Sequence, residues 1–437
     1  GRGLSSLSAF FLFELLVSCV FVVISVLLGV LWILSALVCV GRGHHHEGHG
    51  SSDQTDQHTT VPSSTNTVSL VKSANKDFAL RLYTNLANHA DSQGKNIFFS
   101  PVSVSVALAA LSVGARGETH EQLFTGLGFN SSLLTQTDVD QAFHSLLNNN
   151  GSQEDASQGT AVFVDDQFKT QPEFLDVLKQ SYFADGFTVD FTQSTESANT
   201  INKYVEEKTH GKIDKMVESL DENTVMYLLS YIYYKGKWAT PFDPQLTKQD
   251  MFTVDENTQV PVQMMNMEDT FDVYYDQAIN TSVLHLPFTN SYSMLLMLPD
   301  DMATLDRVIC PGHVTKWLQR MESRRYEIFI PKFSIKTSYS LKDVLSQMGM
   351  TDMFGDKADL SGISEGQKLV VSKIVHHAAL DVDEVGATAA AATGIEITLT
   401  SLLFIPVLKF NRPFMVLITE RNTEDILFMG KIINPTI

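Results

Sequence analysis

From Ala379 to Lys409 the chain carries two strand-like stretches joined by a tract that suits neither a helix nor a core. Ala379 to Glu384 alternates apolar and acidic residues, Gly386 breaks the alternation, and Ala387 to Gly394 is a run of very small side chains. Ile395, Ile397, Leu399 and Leu402 then recur mostly at period two, and a strand pattern resumes at Val407. By propensity alone Ala389-Ala390-Ala391-Ala392 favours helix. The run has no stripe of large apolar residues, however, so a helix would have no face to bury. Its small, uncharged, Pro-free residues could instead lie between two existing strands without overpacking the layer beneath. Taken without its flanks, the run also reads as an Ala/Gly linker.

Two other segments show how large a body surrounds this tract. Val225 to Tyr234 is apolar on both faces, as a central strand covered on both sides must be. Val104 to Val113 is apolar all round, so the helix Ser103–Gly114 must be buried. Before it, Phe78, Leu82 and Leu86, with Ala79, Tyr83 and Ala87 beside them, give an amphipathic helix over Val71–Ala90. Asn96 to Pro101 is a short strand ended by proline. Thr160–Val164, Val260–Met267, Val283–Leu286, Ser293–Leu298 and Glu327–Ile330 add strands. Leu341, Val344, Leu345 and Met348 share one face of a helix expected over Ser338–Met348. No repeat and no clean linker occur after about residue 68, so one α+β domain mixing sheets with helices is expected.

The flanks of the small-residue tract carry a resemblance. Glu384-Val385-Gly386-Ala387-Thr388-Ala389-Ala390-Ala391-Ala392 follows the pattern of Glu, any residue, Gly, then small residues. With Phe410-Asn411-Arg412-Pro413-Phe414 and Leu427-Phe428-Met429-Gly430-Lys431-Ile432 it resembles the serpins, closest to the secreted alpha-1-antitrypsin and alpha-1-antichymotrypsin branch. The likeness covers about Val68 to Ile437. It implies the serpin fold: three β-sheets, about nine helices and an exposed reactive-site loop.

The resemblance also assigns roles. The loop hinge would be Glu384, Gly386, Ala387, Ala389, Ala391 and Thr393. Counting from Glu384 places the reactive bond at Thr400-Ser401, whereas counting back from Lys409-Phe410-Asn411 gives Leu402-Leu403. Ser100, Ser103, Ser230 and His376 would form the shutter under the middle of the main sheet. Position 230 is usually Asn in the family, and Ser offers fewer hydrogen-bonding groups. Read by itself, serine at the mouth of the buried helix is an ordinary N-cap. Trp238, in Lys235-Gly236-Lys237-Trp238, would sit at the top of the sheet where the loop enters. Lys332 would pair with Glu384.

Function follows from that reading. A serine-protease inhibitor acting as a suicide substrate is expected, its cleaved loop entering the main sheet. No Arg or Lys lies between Gly394 and Val407, so the expected targets are elastase-like or chymotrypsin-like, not trypsin-like. The alternative is a non-inhibitory serpin carrying a small hydrophobic hormone. An enzyme is not expected, because no G-x-S-x-G, H-E-x-x-H or P-loop occurs. No cofactor is expected, and the formal net charge of −19, with no cluster of Lys and Arg, argues against a nucleic-acid partner.

The first 43 residues are expected to be a leader. Leu15 to Val40 is uncharged between flanking Arg2 and Arg42. It reads as a secretory signal cut near Gly41 or Gly43, with a transmembrane anchor as the competing reading. His44-His45-His46-Glu47-Gly48-His49 opens a polar arm, residues 44–67, which could bind metal but reads as a solvated segment, so no metal site is expected. The serpin domain would be residues 68–437. Cys19 and Cys39 fall in the leader, leaving Cys310 and no disulfide framework. Asn130, Asn150 and Asn280 head N-glycosylation triplets. A secreted, extracellular, monomeric glycoprotein, free of the membrane once the signal is removed, is the resulting expectation.

Overall fold

The computed structural model describes residues 64–149, 156–213, 215–385 and 404–437. Its helices are α1 (Ser64–Asn88), α2 (Pro101–Gly114), α3 (Gly117–Leu127), α4 (Gln136–Asn149), α5 (Pro172–Tyr182), α6 (Ser194–Lys208), α7 (Met302–Val308), α8 (Pro311–Gln319) and α9 (Lys342–Gln347). The first strands are β1 (Ile97–Phe99), β2 (Ala156–Asp165), β3 (Asp185–Val189), β4 (Met226–Tyr234), β5 (Lys248–Asp255), β6 (Thr258–Asp276) and β7 (Thr281–Pro287). The remainder are β8 (Tyr292–Pro299), β9 (Glu322–Pro331), β10 (Phe333–Ser340), β11 (Lys373–Val382), β12 (Val407–Lys409), β13 (Phe414–Glu420) and β14 (Ile426–Ile432).

By pairing, the described strands form a five-stranded sheet in the order β10-β11-β4-β2-β3 and a nine-stranded one. The larger sheet is what a three-sheet description divides at β6. That 19-residue strand pairs with β5 at its start, β9 along its middle and β7 at its end. One hydrogen-bonded network thus serves two differently facing surfaces.

All nine residues of β4 are buried, because the five-stranded sheet is covered on both faces. Met226 and Leu228 face the largest core, which includes α2. Tyr227, Leu229 and Tyr231 face a separate core built with Ile201 and Val205 of α6. Twelve of the fourteen residues of α2 are buried, since it packs on β4 and β2 of one sheet and β14 of the other. Ser100 caps this helix: its side chain accepts from Ser103 N, and Pro101 fills the first turn, where no N–H is needed.

Several boundaries differ from expectation: α1 begins at Ser64, ahead of Val71 and inside the polar arm expected to run to residue 67, and β6 extends from Thr258 to Asp276, beyond the expected Val260–Met267. The helix expected over Ser338–Met348 spans only Lys342–Gln347, and Ser338, Tyr339 and Ser340 instead pair with His377, His376 and Val375 as the end of β10. The apolar face at 341, 344 and 345 is real, but Tyr339 is held outside it by a hydrogen bond from Phe98 N to its hydroxyl. The strand expected over Ala379–Glu384 runs from Lys373 to Val382. Its first half is buried on both faces and so shows no alternation to read.

Candidate functional site

β11 and β4 lie side by side and parallel, with Lys373 opposite Tyr227 and Leu380 opposite Tyr234. On the α2 side of this join the apolar rows Met226, Leu228, Ile232, Tyr234 and Ile374, Ala378, Leu380 are interrupted at a single level, by Ser230 and His376. These two are register partners. Ser230 Oγ lies 3.0 Å from His376 Nδ1, and Ser100 N donates to His376 Nε2 at 2.9 Å. Ser103 N in turn donates to Ser100 Oγ at 3.2 Å. The structure therefore brings Ser100, Ser103, Ser230 and His376 into one buried chain at the N-terminus of α2. Ser103 Oγ itself is buried without a protein partner.

Burial, with His377 beside it, pushes the His376 imidazole down to about 3. Burial also pushes His377 down to about 4. His377 points to the opposite face, 3.0 Å from Ser338 Oγ on β10. Both rings are neutral at physiological pH. With Nε2 accepting from a backbone N–H, the His376 proton sits on Nδ1 and is donated to Ser230.

The top of β11 is stitched to the segment after β4. Trp238 Nε1 donates to Asp383 O at 2.8 Å, Phe242 N to Glu384 O at 3.1 Å and Trp238 N to Val385 O at 3.1 Å. The indole stacks on Phe288, with ring centres 4.7 Å apart, and meets Phe242 edge-on. Glu384 is nearly buried and its carboxylate is held at both oxygens, by Thr247 Oγ1 and by Lys332 Nζ, each at 2.8 Å. Burial raises the Glu384 pKa, but the Lys332 and Thr247 hydrogen bonds outweigh it and hold the carboxyl below its ordinary value. Asp383 is likewise paired with Lys235 at 2.8 Å.

Thr247, Phe242, Asp383 and Lys235 also belong to this constellation, and the sequence assigns none of them a role in it. Lys235 lies within the Lys-Gly-Lys-Trp signature and was findable there. Thr247 lies 137 residues from Glu384 and carries no local signal.

Of the remaining expected residues, Asn130 and Asn280 are exposed. Gly386, Ala387, Ala389, Ala391, Thr393, Thr400, Ser401, Leu402, Leu403 and Asn150 lie outside the described residues, as do the leader and the His-rich arm through residue 63. Among the described residues no helix is long and apolar enough to cross a membrane. Cys310, the cysteine expected to remain once a leader is removed, is the N-cap residue of α8, with its Sγ 3.3 Å from His313 Nδ1.

Comparison with known proteins gives the same picture. The family model for Serpin (serine protease inhibitor) matches residues 73–435. The hibernation-specific plasma protein HP-55 of Tamias sibiricus is 38% identical over 413 residues, covering 93% of this chain and 98% of the relative. Alpha-1-antichymotrypsin of Pongo abelii is 39% identical over 372 residues, covering 83% and 88%. The crystal structure of human thyroxine-binding globulin in complex with thyroxine superposes with a TM-score of 0.78 at 34% identity, covering 85% of this chain and all of that one.

Proposed function

The chain belongs to the serpin family, and from that premise we propose that it is a secreted inhibitor of elastase-like or chymotrypsin-like serine proteases, acting as a suicide substrate. One observation carries this reading. The join between β11 and β4 is parallel, and the small-residue tract follows β11 directly. A segment that leaves the top of β11 and folds back runs antiparallel to both strands. Insertion would therefore replace one parallel ladder by two antiparallel ones, the more stable kind.

About ten new ladder bonds at ~1 kcal/mol each, and roughly 1.5–3 kcal/mol for each large side chain buried, such as Ile395 or Ile397, would drive the step. The positions facing inward would be Ala387, Ala389, Ala391 and Thr393, all small and uncharged. The polar level at Ser230 and His376 is where the strands would part, and the hydrogen bonds from Trp238 to Asp383 and Val385 mark where the loop would begin to enter. Cleavage at Thr400-Ser401, or at Leu402-Leu403, would acylate the protease and release the segment. The protease, carried along on its acyl bond, would be distorted and trapped. On this reading residues 1–43 are removed, an arm precedes α1, the body from α1 to Ile437 is a monomeric inhibitor, and Asn130, Asn150 and Asn280 carry sugar.

Incubation with pancreatic elastase or chymotrypsin should give a detergent-resistant complex on a gel. Mass spectrometry of the released fragment should identify the bond. A chain that is cut by both proteases without forming a complex would sink the proposal. That outcome would favour the carrier reading, which is supported by the likeness to thyroxine-binding globulin and by a cleft of about 300 Å³ lined by Val68, Lys72, Phe143, Tyr292 and Leu427.

A further inference from the structure

Phe404 is the first described residue after the loop, and it is 91% exposed. No other large hydrophobic residue described is as exposed, the next being Ile437 at 64% and Val407 at 54%. The chain nevertheless holds Phe404 close to a fixed frame. Pro406 O accepts from Glu327 N at 3.0 Å, β12 pairs with β9 from Val407 onward, and Leu408 is buried in the core of the larger sheet. Pro406 also restricts Ile405 to extended backbone. A large apolar side chain is thus presented to solvent three residues ahead of an anchored strand.

Resting on the inhibitory reading above, we propose that Phe404 is a specificity residue that docks in an apolar subsite on the leaving-group side of the target protease's cleft. Phe404 follows the Thr400-Ser401 bond by four residues, or the Leu402-Leu403 bond by two. At roughly 3.3 Å per extended residue both counts place it within about 13 Å of the bond, inside the footprint of a protease that binds an extended segment. Aromatic anchors presented on a short, pre-ordered segment lose little freedom on binding and dominate small interfaces. Phe404 lies beyond the cleaved bond and stays attached to β12, so it acts in the encounter and not in the later entry of the loop into the sheet.

The test is kinetic. The second-order rate of complex formation is measured for the full chain and for Phe404→Ala, Phe404→Leu and Phe404→Asp, with elastase and with chymotrypsin. Stoichiometry of inhibition and heat resistance of the cleaved chain are measured alongside. Phe404→Ala and Phe404→Asp should slow whichever protease forms the complex by about tenfold, while Phe404→Leu keeps most of the rate. Stoichiometry and heat resistance should not change. A rate within twofold of the parent for Phe404→Ala overturns the docking role and leaves the inhibitory reading standing. A slowed rate accompanied by a raised stoichiometry also overturns it, because the residue would then act on insertion. If the parent chain forms no complex with either protease, both readings fall together.

Discussion

Ser230 and His376 face each other across the parallel join of β4 and β11, their Oγ and Nδ1 atoms 3.0 Å apart. The ring's other nitrogen accepts from Ser100 N, so one neutral imidazole ties two strands of the sheet to the start of α2. Removing the hydroxyl would strand a buried N–H donor.

Ser230→Ala is therefore expected to cost about 1–3 kcal/mol. A lowered denaturant midpoint with an unchanged slope would register it. If the strands part at this level, the variant should also lose inhibitory activity faster on storage, through premature entry of the intact loop. Equal storage half-lives for the variant and the parent would argue that the strands part elsewhere.

Acid should loosen the same region. The folded chain holds His376 and His377 neutral down to about 3 and 4, whereas the unfolded chain protonates them near their ordinary value of about 6.5. Between those limits the unfolded state binds more protons, so stability rises with pH and is lost as pH falls below about 6.5. Burial lowers His285 and His313 as well, and they push in the same direction. A melting temperature that falls between pH 6.5 and 5, above the range where ordinary carboxylates titrate, is the expected result. His376→Gln should flatten that slope, and a slope unchanged in this variant would remove His376 as its source.

The ion pair between Lys332 and Glu384 should matter little for global stability. Lys332 is 46% exposed at its side chain, which puts the pair at about 0–1 kcal/mol. Its consequence is local, because the same carboxylate also holds Thr247 and the Glu384 carbonyl accepts from Phe242 N. Lys332→Ala is expected to leave the melting temperature nearly unchanged while raising the rate at which the intact loop enters the sheet. Measuring spontaneous conversion to an inactive, heat-resistant form checks it.

Much of this was legible in the chain. Val104–Val113 and Val225–Tyr234 announce a covered helix and a doubly covered strand by lacking a polar face, and both are found buried. The pairing of Lys332 with Glu384 was reachable only through the family resemblance, since nothing local to either residue signals the other. The boundary at Ser338 is hidden because residues 338–340, just ahead of the helical pattern at Leu341, Val344 and Leu345, give no local sign that they pair with β11 as the end of β10. Thr247 has no local signal because a lone threonine far along the chain forms no pattern, and only the fold, which sets it immediately ahead of β5, delivers it to Glu384.

Gly430 in the closing signature has a steric explanation that the sequence does not show. A Cβ there would lie 2.8 Å from the Ile97 carbonyl oxygen and 2.8 Å from the Phe98 ring, where β1 pairs with β14. The first contact is with backbone, which cannot step aside. Gly430→Ala is expected to destabilise by about 1–3 kcal/mol, in the range of overpacked cores. A thermal midpoint equal to the parent's would show that β1 can shift.

The inserted loop supplies the sharpest test, because the two faces of a strand are not equivalent. If the tract becomes a strand between β4 and β11, Ala391 would face the covered interior and Ala390 would face the other way. An arginine buried without a partner costs roughly several kcal/mol, which would slow insertion. The protease would then complete hydrolysis before it is trapped. Ala391→Arg is expected to turn the inhibitor into a substrate: many molecules cut for each protease captured, and a stoichiometry far above one. Ala390→Arg should stay closer to the parent, since the opposite face of the join carries polar partners, among them Asp381, Tyr233 and His377. Stoichiometry measured on both variants with one protease decides between insertion and a flexible tether, which would treat neighbouring positions alike.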